Sequence, residues 1–221
     1  MTKNKTLLVN LGIAQHCFKW GFMNDIVVDT ETNGINPYYN CVIEAYFHID
    51  DKNNYHLKAR PDFWDDQAAL IHNISYAEAM SYHDKKTAWR NFLKWLPKNF
   101  RFVNWANKNT ELGCVNFDHA IIWNELNLLG MPQYHLENHY KMKPSYSVYD
   151  LAKYCAKNGY FTPIRGKSGR QSFTQENVYK ALFGEKYNAH NAKDDVLALV
   201  RIYNELLRLN NEQRGLLWQS Q

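Results

Sequence analysis

The order of apolar patterns along the chain is the feature that most limits its possible fold. Short β-branched and apolar runs open the sequence, and each is bounded by polar or turn-forming residues, as strands are. These predicted strands cover residues 25–29, 41–49 and 55–59, and a fourth follows at 100–104. Helical spacing begins after Pro61. Strands first and interleaved helices afterwards predict an α/β domain with a mixed sheet covered by helices.

Apolar residues recur every three to four positions in much of the second half, which predicts helices. The clearest pattern covers residues 117–129, and Gly130 and Pro132 supply a typical C-terminal stop. A second long helix is predicted from about residue 191 to residue 209. Shorter helices are predicted near 88–96, 147–156 and 174–182, with a polar, glycine-containing loop at 159–172.

Length and composition predict one globular domain. The chain has 221 residues, of which 45% are apolar and 22% are charged, a balance that excludes disordered and fibrous classes. We predict an N-terminal extension at residues 1–22, a main domain at 23–210 and a tail at 211–221. Met23 is an alternative natural start, because the preceding residues show no clear period.

Cysteine usage and hydropathy predict an intracellular protein. The four cysteines are Cys17, Cys41, Cys114 and Cys155, and none forms a Cys-x-x-Cys pair, which argues against a zinc site and a disulfide framework. No apolar run approaches the roughly 18 to 20 residues that cross a bilayer. We therefore expect no membrane association and a cytoplasmic location. The net charge of +4 is too mild to establish a nucleic-acid partner by itself.

Asp29 and Glu31 form the first candidate site. They are two residues apart on a predicted strand, so their side chains point to the same face. Carboxylates that close repel each other unless a cation binds or one becomes protonated. Magnesium and manganese are hard ions that prefer such oxygen ligands. An isolated Asp-x-Glu is more often a polar cluster in a turn, so the pair alone does not decide between these interpretations.

Two further acids and a histidine lie near predicted helix starts. Asp118 begins the helix at 117–129, where an acidic residue is also a common capping choice. Asp195 falls on the apolar stripe of the last helix, whereas Asp194 falls on its charged face. An acid on an apolar stripe is costly unless it is paired or ligated, which favours Asp195 as a functional residue. His190 converges with it only if His190 precedes the helix.

Three segments in order resemble the exonuclease motifs of the DnaQ-like family known as DEDDh. They are VVDTETNG at 27–34, NFD at 116–118 and HNAKDD at 190–195. Their context is similar too, with VIE at 42–44 and ALIHNI at 69–74. The resemblance covers residues 25 to about 207. One position departs from the family, which usually has histidine or asparagine where this chain has Cys114, and residues 107–113 form an unusual approach loop.

The resemblance implies a ribonuclease H-like fold, with a mixed central sheet flanked by helices, and a 3′-to-5′ exonuclease. Such an enzyme would hydrolyse terminal phosphodiesters of single-stranded DNA or RNA and release nucleoside 5′-monophosphates. Two divalent cations, Mg²⁺ or Mn²⁺, would be held by four carboxylates. These are Asp29, Glu31, Asp118 and Asp195. His190 would act as the general base, since histidine can accept a proton near neutral pH.

The resemblance also suggests groups that contact the terminal nucleotide. The candidates are Thr30, His72 and Asn73, although His72 is equally explained as a helix-end histidine. Glu44 could orient the metal ligands or could be a surface residue of its strand. The loop at 159–172 adds Arg165, Lys167 and Arg170, which could steer phosphates or could be solvated charges.

Two alternative functions stay open at this point. The chain could be a proofreading subunit that acts with a polymerase, docked through residues 1–22 or 212–221. It could instead be a non-catalytic nucleic-acid-binding module on the same fold. The complete set of acidic residues argues against the second alternative, because a binding module has no need to retain repelling carboxylates. The expected partners are a nucleic acid with a free 3′ end and, in addition, a polymerase or a second copy of the chain.

Overall fold

The computed structural model describes residues 23–105, 107–110 and 113–219. The predicted extension at residues 1–22 and Cys17 lie outside the described residues. Side chains are described for residues 23–105, 117–132 and 135–212. The strands are β1 (Asn24–Thr32), β2 (Val42–Asp50), β3 (Asn53–Lys58), β4 (Phe100–Asn104), β5 (Asn107–Thr110), β6 (Gly113–Asn116) and β7 (Tyr146–Ser147). The helices are α1 (Asp66–His72), α2 (Tyr76–Ser81), α3 (Lys85–Trp95), α4 (Phe117–Leu128), α5 (Gln133–His139), α6 (Val148–Lys157), α7 (Gln175–Phe183) and α8 (Ala192–Gln219).

Five strands form one mixed sheet in the order β3-β2-β1-β4-β7. The first three strands are a meander, so β1 is antiparallel to β2 and β2 to β3. β4 joins the other edge of β1 in parallel, and β7 is parallel to β4. β1 therefore lies at the centre, and side chains near its carboxyl end are surrounded by other elements.

Helices cover both faces of this sheet because β1 is apolar on both sides. Ile26 and Val28 face a core that includes residues of α3 and α4, whereas Val27 faces a core formed with α6, α7 and α8. A strand that is buried on both faces has a continuous run of apolar residues, and β1 has such a run at residues 26–28. The predicted α/β class is thus confirmed, and the sheet holds the ends of β1, α4 and α8 close together.

The predicted elements are present with three differences. α8 continues to Gln219, through the segment predicted as a tail. Arg208 forms ion pairs with Glu205 and Glu212, one on each side of the predicted helix end at residue 209, and such pairs support the longer helix. The predicted approach loop at 107–113 contributes instead to a hairpin of β5 and β6. Helices α1, α2 and α5 are six or seven residues long, too short for a clear period in the sequence.

Two further sequence expectations concern cysteines and membranes. Cys41 and Cys155 are buried free thiols, and the side chain of Cys114 lies outside the described residues. Within the described ranges, no helix is both long enough and apolar enough to span a membrane.

Candidate active site

Three carboxylates from distant parts of the chain meet at the carboxyl end of β1. Asp29 and Glu31 are on β1, and Asp195 is in the first turn of α8. Each can offer one oxygen atom such that all three atoms lie within 4.8 Å of one another. The two strand residues share a face, as their spacing predicts, and the apolar stripe of α8 turns Asp195 toward them. This grouping can hold a hard divalent cation.

Asp118 lies beside this group but is turned toward other partners. Its carboxylate accepts a hydrogen bond from the Thr30 hydroxyl at 2.7 Å and one from the Asn104 side-chain amide at 3.3 Å. Asp118 is close enough to Glu31 that its charge contributes to the raised pKa of that residue. Thr30 therefore positions a carboxylate in this structure, although the sequence suggested it as a substrate contact.

The electrostatics of Glu31 show the cost of this arrangement. Its pKa is raised from 4.5 to about 7, mostly by burial and then by the negative charges of Asp195, Asp118 and Glu44, in that order. The side chain is only 9% exposed, so water does little to screen the repulsion. A bound cation would remove this penalty, and this chemistry fits the residues present.

Asp195 is held by donors from the segment just before α8. Its Oδ1 accepts a hydrogen bond from the Tyr187 hydroxyl at 2.8 Å. Its Oδ2 accepts bonds from the backbone N–H groups of His190, at 2.8 Å, and Asn191, at 3.1 Å. Burial raises the pKa of Asp195, and these hydrogen bonds oppose that rise. Sequence reasoning missed Tyr187, because a tyrosine in an irregular segment has no periodic signal.

His190 precedes α8, as convergence with Asp195 requires, and has a left-handed backbone with φ of 69°. Its backbone N–H donates to Asp195 at 2.8 Å, and the charge of its ring also lowers the pKa of Asp195. The ring Nε2 lies 3.7 Å from a carboxylate oxygen of Glu176 on α7, and the His190 side chain is 58% exposed. The imidazole is therefore at the rim of the site and is not fixed by close packing.

A cleft of about 240 Å³ is lined in part by Lys58, His72, Asn73 and His190. Its lining is joined to the carboxylate group through His190 and Asn191, whose backbone N–H groups donate to Asp195. His72 Nδ1 accepts a hydrogen bond from the Ile74 backbone N–H at 3.1 Å, so Nε2 carries the ring proton. That Nε2 is buried and has no hydrogen-bond partner among the described residues. Asn73 is the left-handed C-cap of α1. The structure thus gathers three predicted site residues around one cleft.

Glu44 also lines this cleft and is buried, with 4% exposure. Burial raises its pKa, but hydrogen bonds from His56, Lys58 and Tyr82 outweigh burial and lower it to about 2. His56 Nε2 lies 3.0 Å and Lys58 Nζ 2.8 Å from its carboxylate. Glu44 is therefore not a surface residue, and that interpretation of the sequence is wrong. Its hydrogen-bond donors are His56 and Lys58 on β3 and Tyr82 just after α2, and the pattern of a single strand cannot predict them.

The predicted basic residues of the 159–172 loop are not brought to the cleft. Arg165 donates to the Gly169 carbonyl at 2.9 Å and closes a turn. Lys167 and Arg170 are exposed, and none of the three lines the described cleft. Their predicted phosphate contacts therefore have no geometric support in this conformation.

The arrangement of strands and helices identifies the fold. The mixed five-stranded sheet with helices on both faces is the ribonuclease H-like α/β fold, and solved structures of E. coli exonuclease I share it. The zinc-bound complex of that enzyme with single-stranded DNA has a TM-score of 0.68 at 19% identity and covers 90% of this chain and 42% of that one. Its complex with a dT13 oligonucleotide has a TM-score of 0.72 at 18% identity, covering 89% and 44%.

The product-bound exonuclease I structure gives a similar result, with a TM-score of 0.68 at 18% identity and coverage of 86% of this chain and 45% of that one. The chain thus spans less than half the length of these solved structures. At this identity the likeness establishes the fold and nothing finer. No protein-family model and no curated protein matches the chain.

Proposed function

We propose that the protein is a metal-dependent 3′-to-5′ exonuclease of the DnaQ-like DEDDh type, acting on single-stranded nucleic acid. The observation that carries this proposal is the convergence of Asp29, Glu31 and Asp195, with oxygen atoms within 4.8 Å of one another at the end of the central strand. A partly buried group of repelling carboxylates is costly for folding alone. Its natural explanation is a site for divalent cations.

The proposed chemistry assigns a role to each group. Asp29, Glu31, Asp118 and Asp195 would hold two cations, Mg²⁺ or Mn²⁺. Such ions lower the pKa of water and neutralise charge on the phosphodiester. His190 would take the proton from the attacking water, and its exposed side chain can leave Glu176 to do so. His72 Nε2–H would donate to an acceptor on the terminal nucleotide.

The solved structures with this fold support a nucleic-acid substrate. Exonuclease I is described in complex with single-stranded DNA and with dT13 and dA16 oligonucleotides. The cleft has a volume of about 240 Å³ and a mostly polar lining, which suits one terminal nucleoside. This agrees with action at the end of a nucleic-acid strand. The domain limits, the cytoplasmic location and a polymerase or homo-oligomer partner stay predictions of the sequence.

The direct test is digestion of end-labelled oligonucleotides by the purified chain. We expect stepwise shortening from the 3′ end of single-stranded DNA or RNA, slower attack on duplex DNA, and release of 5′-monophosphates. Activity should require Mg²⁺ or Mn²⁺ and stop with a chelator. Binding without any shortening in either metal would instead support the non-catalytic alternative.

Tyr187→Phe should weaken divalent-ion binding roughly ten- to a hundredfold, the usual effect of losing a group that orients a ligand. The change removes only the hydroxyl that donates to Asp195 Oδ1 at 2.8 Å. Calorimetric titration with Mn²⁺ measures the effect without relying on activity. Tyr179→Phe is the matched control, because Tyr179 contacts the Tyr187 ring but directs its hydroxyl to Glu185 and Arg201. Equal Mn²⁺ affinities in the two variants would contradict this role.

His190→Ala should lower single-turnover rates about 10²- to 10⁴-fold while substrate affinity changes little, because a general base acts in the chemical step. Glu176→Gln should leave the rate near that of the wild type, since Glu176 contacts the imidazole only at the rim of the site. Both constants come from single-turnover kinetics over a range of substrate concentrations. A His190→Ala enzyme that keeps its rate but binds poorly would show a binding role instead.

A further inference from the structure

Two histidines outside the candidate active site lie side by side on α5. His135 and His139 are four residues apart on this helix, so their side chains project from the same side of it. Their ring centroids are 5.0 Å apart, and the ring planes differ by 22°. His139 is exposed and His135 is partly exposed, so solutes can reach both rings. The proposed nuclease chemistry does not use this pair.

The pair lies away from the carboxylate group. Tyr140, the residue after α5, accepts a backbone hydrogen bond from Asn99 at 2.6 Å, and Asn99 accepts one from Asn24 at 2.8 Å. Asn24 begins β1, whereas Asp29 lies further along this strand by a distance of about 16 Å. His139, which adjoins Tyr140, is therefore near the end of the sheet opposite to the candidate active site.

The spacing of the two rings suits a shared metal ion. Imidazole nitrogens bind zinc at about 2.0 to 2.1 Å, and two rings bound side by side to one ion have centroids roughly 5 Å apart. The observed separation already agrees with this value. The rings are nearly parallel in this conformation, and rotation about the Cβ–Cγ bond of each, a broad torsion in histidine, would turn their nitrogens toward a common point. Binding therefore needs side-chain rotation and no rearrangement of the helix.

The local environment of α5 favours a bound cation. His139 is in the last turn, where the helix dipole places negative partial charge. Pro132 at the N-cap cannot supply a side-chain hydrogen bond, so this short helix lacks that source of stability. An ion bound by residues in successive turns would fix one turn to the next. Because the unfolded chain does not hold the two rings together, such an ion stabilises the folded helix.

We propose that His135 and His139 form a further metal site, which binds a transition-metal ion that prefers imidazole ligands, such as Zn²⁺. One nitrogen of each ring would hold the ion, and water would complete its coordination. Two histidines four residues apart on one helical face are an arrangement that binds zinc. Mg²⁺ prefers oxygen ligands and would not compete for this pair. The inference is independent of the nuclease proposal, because it needs neither the carboxylates nor a nucleic acid.

Calorimetric titration with Zn²⁺ tests this site, in the presence of excess Mg²⁺ to occupy the carboxylates. His139→Gln removes one of the two ligands and changes an exposed side chain, so the fold should be kept. His83→Gln is the matched control, because His83 is also exposed and lies in another part of the chain. We expect His83→Gln to bind Zn²⁺ as the wild type does. His139→Gln should bind it at least about tenfold more weakly, since a single ring loses the gain from two linked ligands.

Asp195→Asn shows whether the carboxylates contribute to Zn²⁺ binding. We expect this variant to keep the Zn²⁺ binding that His139→Gln loses, and Zn²⁺ should raise its melting temperature as it does that of the wild type. If Asp195→Asn weakens Zn²⁺ binding and His139→Gln does not, the ion is at the carboxylates and the proposal is overturned. Failure of the wild type to bind Zn²⁺ in excess Mg²⁺ would overturn it as well.

One result separates this inference from the proposed function. If the wild-type chain hydrolyses no nucleic acid but binds Zn²⁺ in a way that depends on His139, the nuclease proposal fails and the α5 metal site stands. If the chain is an active nuclease and its Zn²⁺ affinity is the same in the wild type and in His139→Gln, the nuclease proposal stands and the α5 metal site is rejected.

Discussion

Replacing Asp195 by asparagine should reduce the exonuclease rate by on the order of a thousandfold or more, with the fold intact. The substitution keeps the shape of the side chain and removes one of three carboxylates whose oxygen atoms lie within 4.8 Å of one another. The amide oxygen can still accept from the backbone N–H groups of His190 and Asn191, and the amide NH2 can donate to the hydroxyl oxygen of Tyr187. The loss would therefore report the missing charge, measured by single-turnover digestion of an end-labelled strand beside circular dichroism spectra.

Asp194→Asn is the matched control for this experiment. Asp194 is the adjacent residue in the same helical turn, and its carboxylate accepts a bond from the exposed Asn188 side chain at 2.9 Å. It is not part of the carboxylate group that could hold a cation. We expect its variant to retain nearly the wild-type rate. Equal losses in the two variants would point to a general effect on the start of α8, and an active Asp195→Asn enzyme would end the metal proposal.

The difference between these two aspartates illustrates what the sequence alone can predict. Periodicity separates Asp195 from Asp194 because a helix repeats every 3.6 residues, and alternation places Asp29 and Glu31 on one face of β1. Such local rules also predict the order of strands and helices, hence the fold class. They succeed because each follows from backbone geometry within a single element.

Side-chain partners from other elements are beyond such rules. Glu44 is an ionised buried group only because His56, Lys58 and Tyr82 surround it, and no pattern within β2 encodes those three donors. The Tyr187 contact with Asp195 likewise depends on the path of an irregular segment. The ring position of His190, near Glu176, depends on a side-chain rotamer that spacing cannot specify. The candidate ligands were therefore predictable, whereas the groups that orient them were not.

Glu31→Gln should stabilise the metal-free protein above about pH 7 by up to roughly 3 kcal/mol, a large effect for one change that nearly preserves the shape of the side chain. The pKa of Glu31 is raised from 4.5 to about 7, first by burial and then by the charges of Asp195, Asp118 and Glu44. Ionising this carboxyl in the folded protein is therefore unfavourable. Glutamine has nearly the same shape and no charge to bury, so the variant avoids this cost.

The pH dependence of this difference follows from the direction of the shift. Between pH 4.5 and about 7, Glu31 is ionised in the unfolded chain but still protonated in the folded one. The unfolded state then binds fewer protons, so the free energy of unfolding of the wild type falls as the pH rises through this window. Above about pH 7 the free energy of unfolding of the wild type has fallen by the full amount. Below pH 4.5 the wild type and the variant should be equally stable.

Urea denaturation of both proteins in chelator, from about pH 4 to about pH 8, measures the difference directly. Adding Mg²⁺ or Mn²⁺ at the upper pH should stabilise the wild type more than Glu31→Gln, because only the wild type regains a ligated carboxylate. Glu212→Gln is the control, since Glu212 is exposed and pairs with Arg208 on the surface of α8. If the two free energies of unfolding differ by the same amount at every pH, Glu31 is not destabilised by ionisation. The proposal of a cation at the end of β1 would then lose its energetic basis.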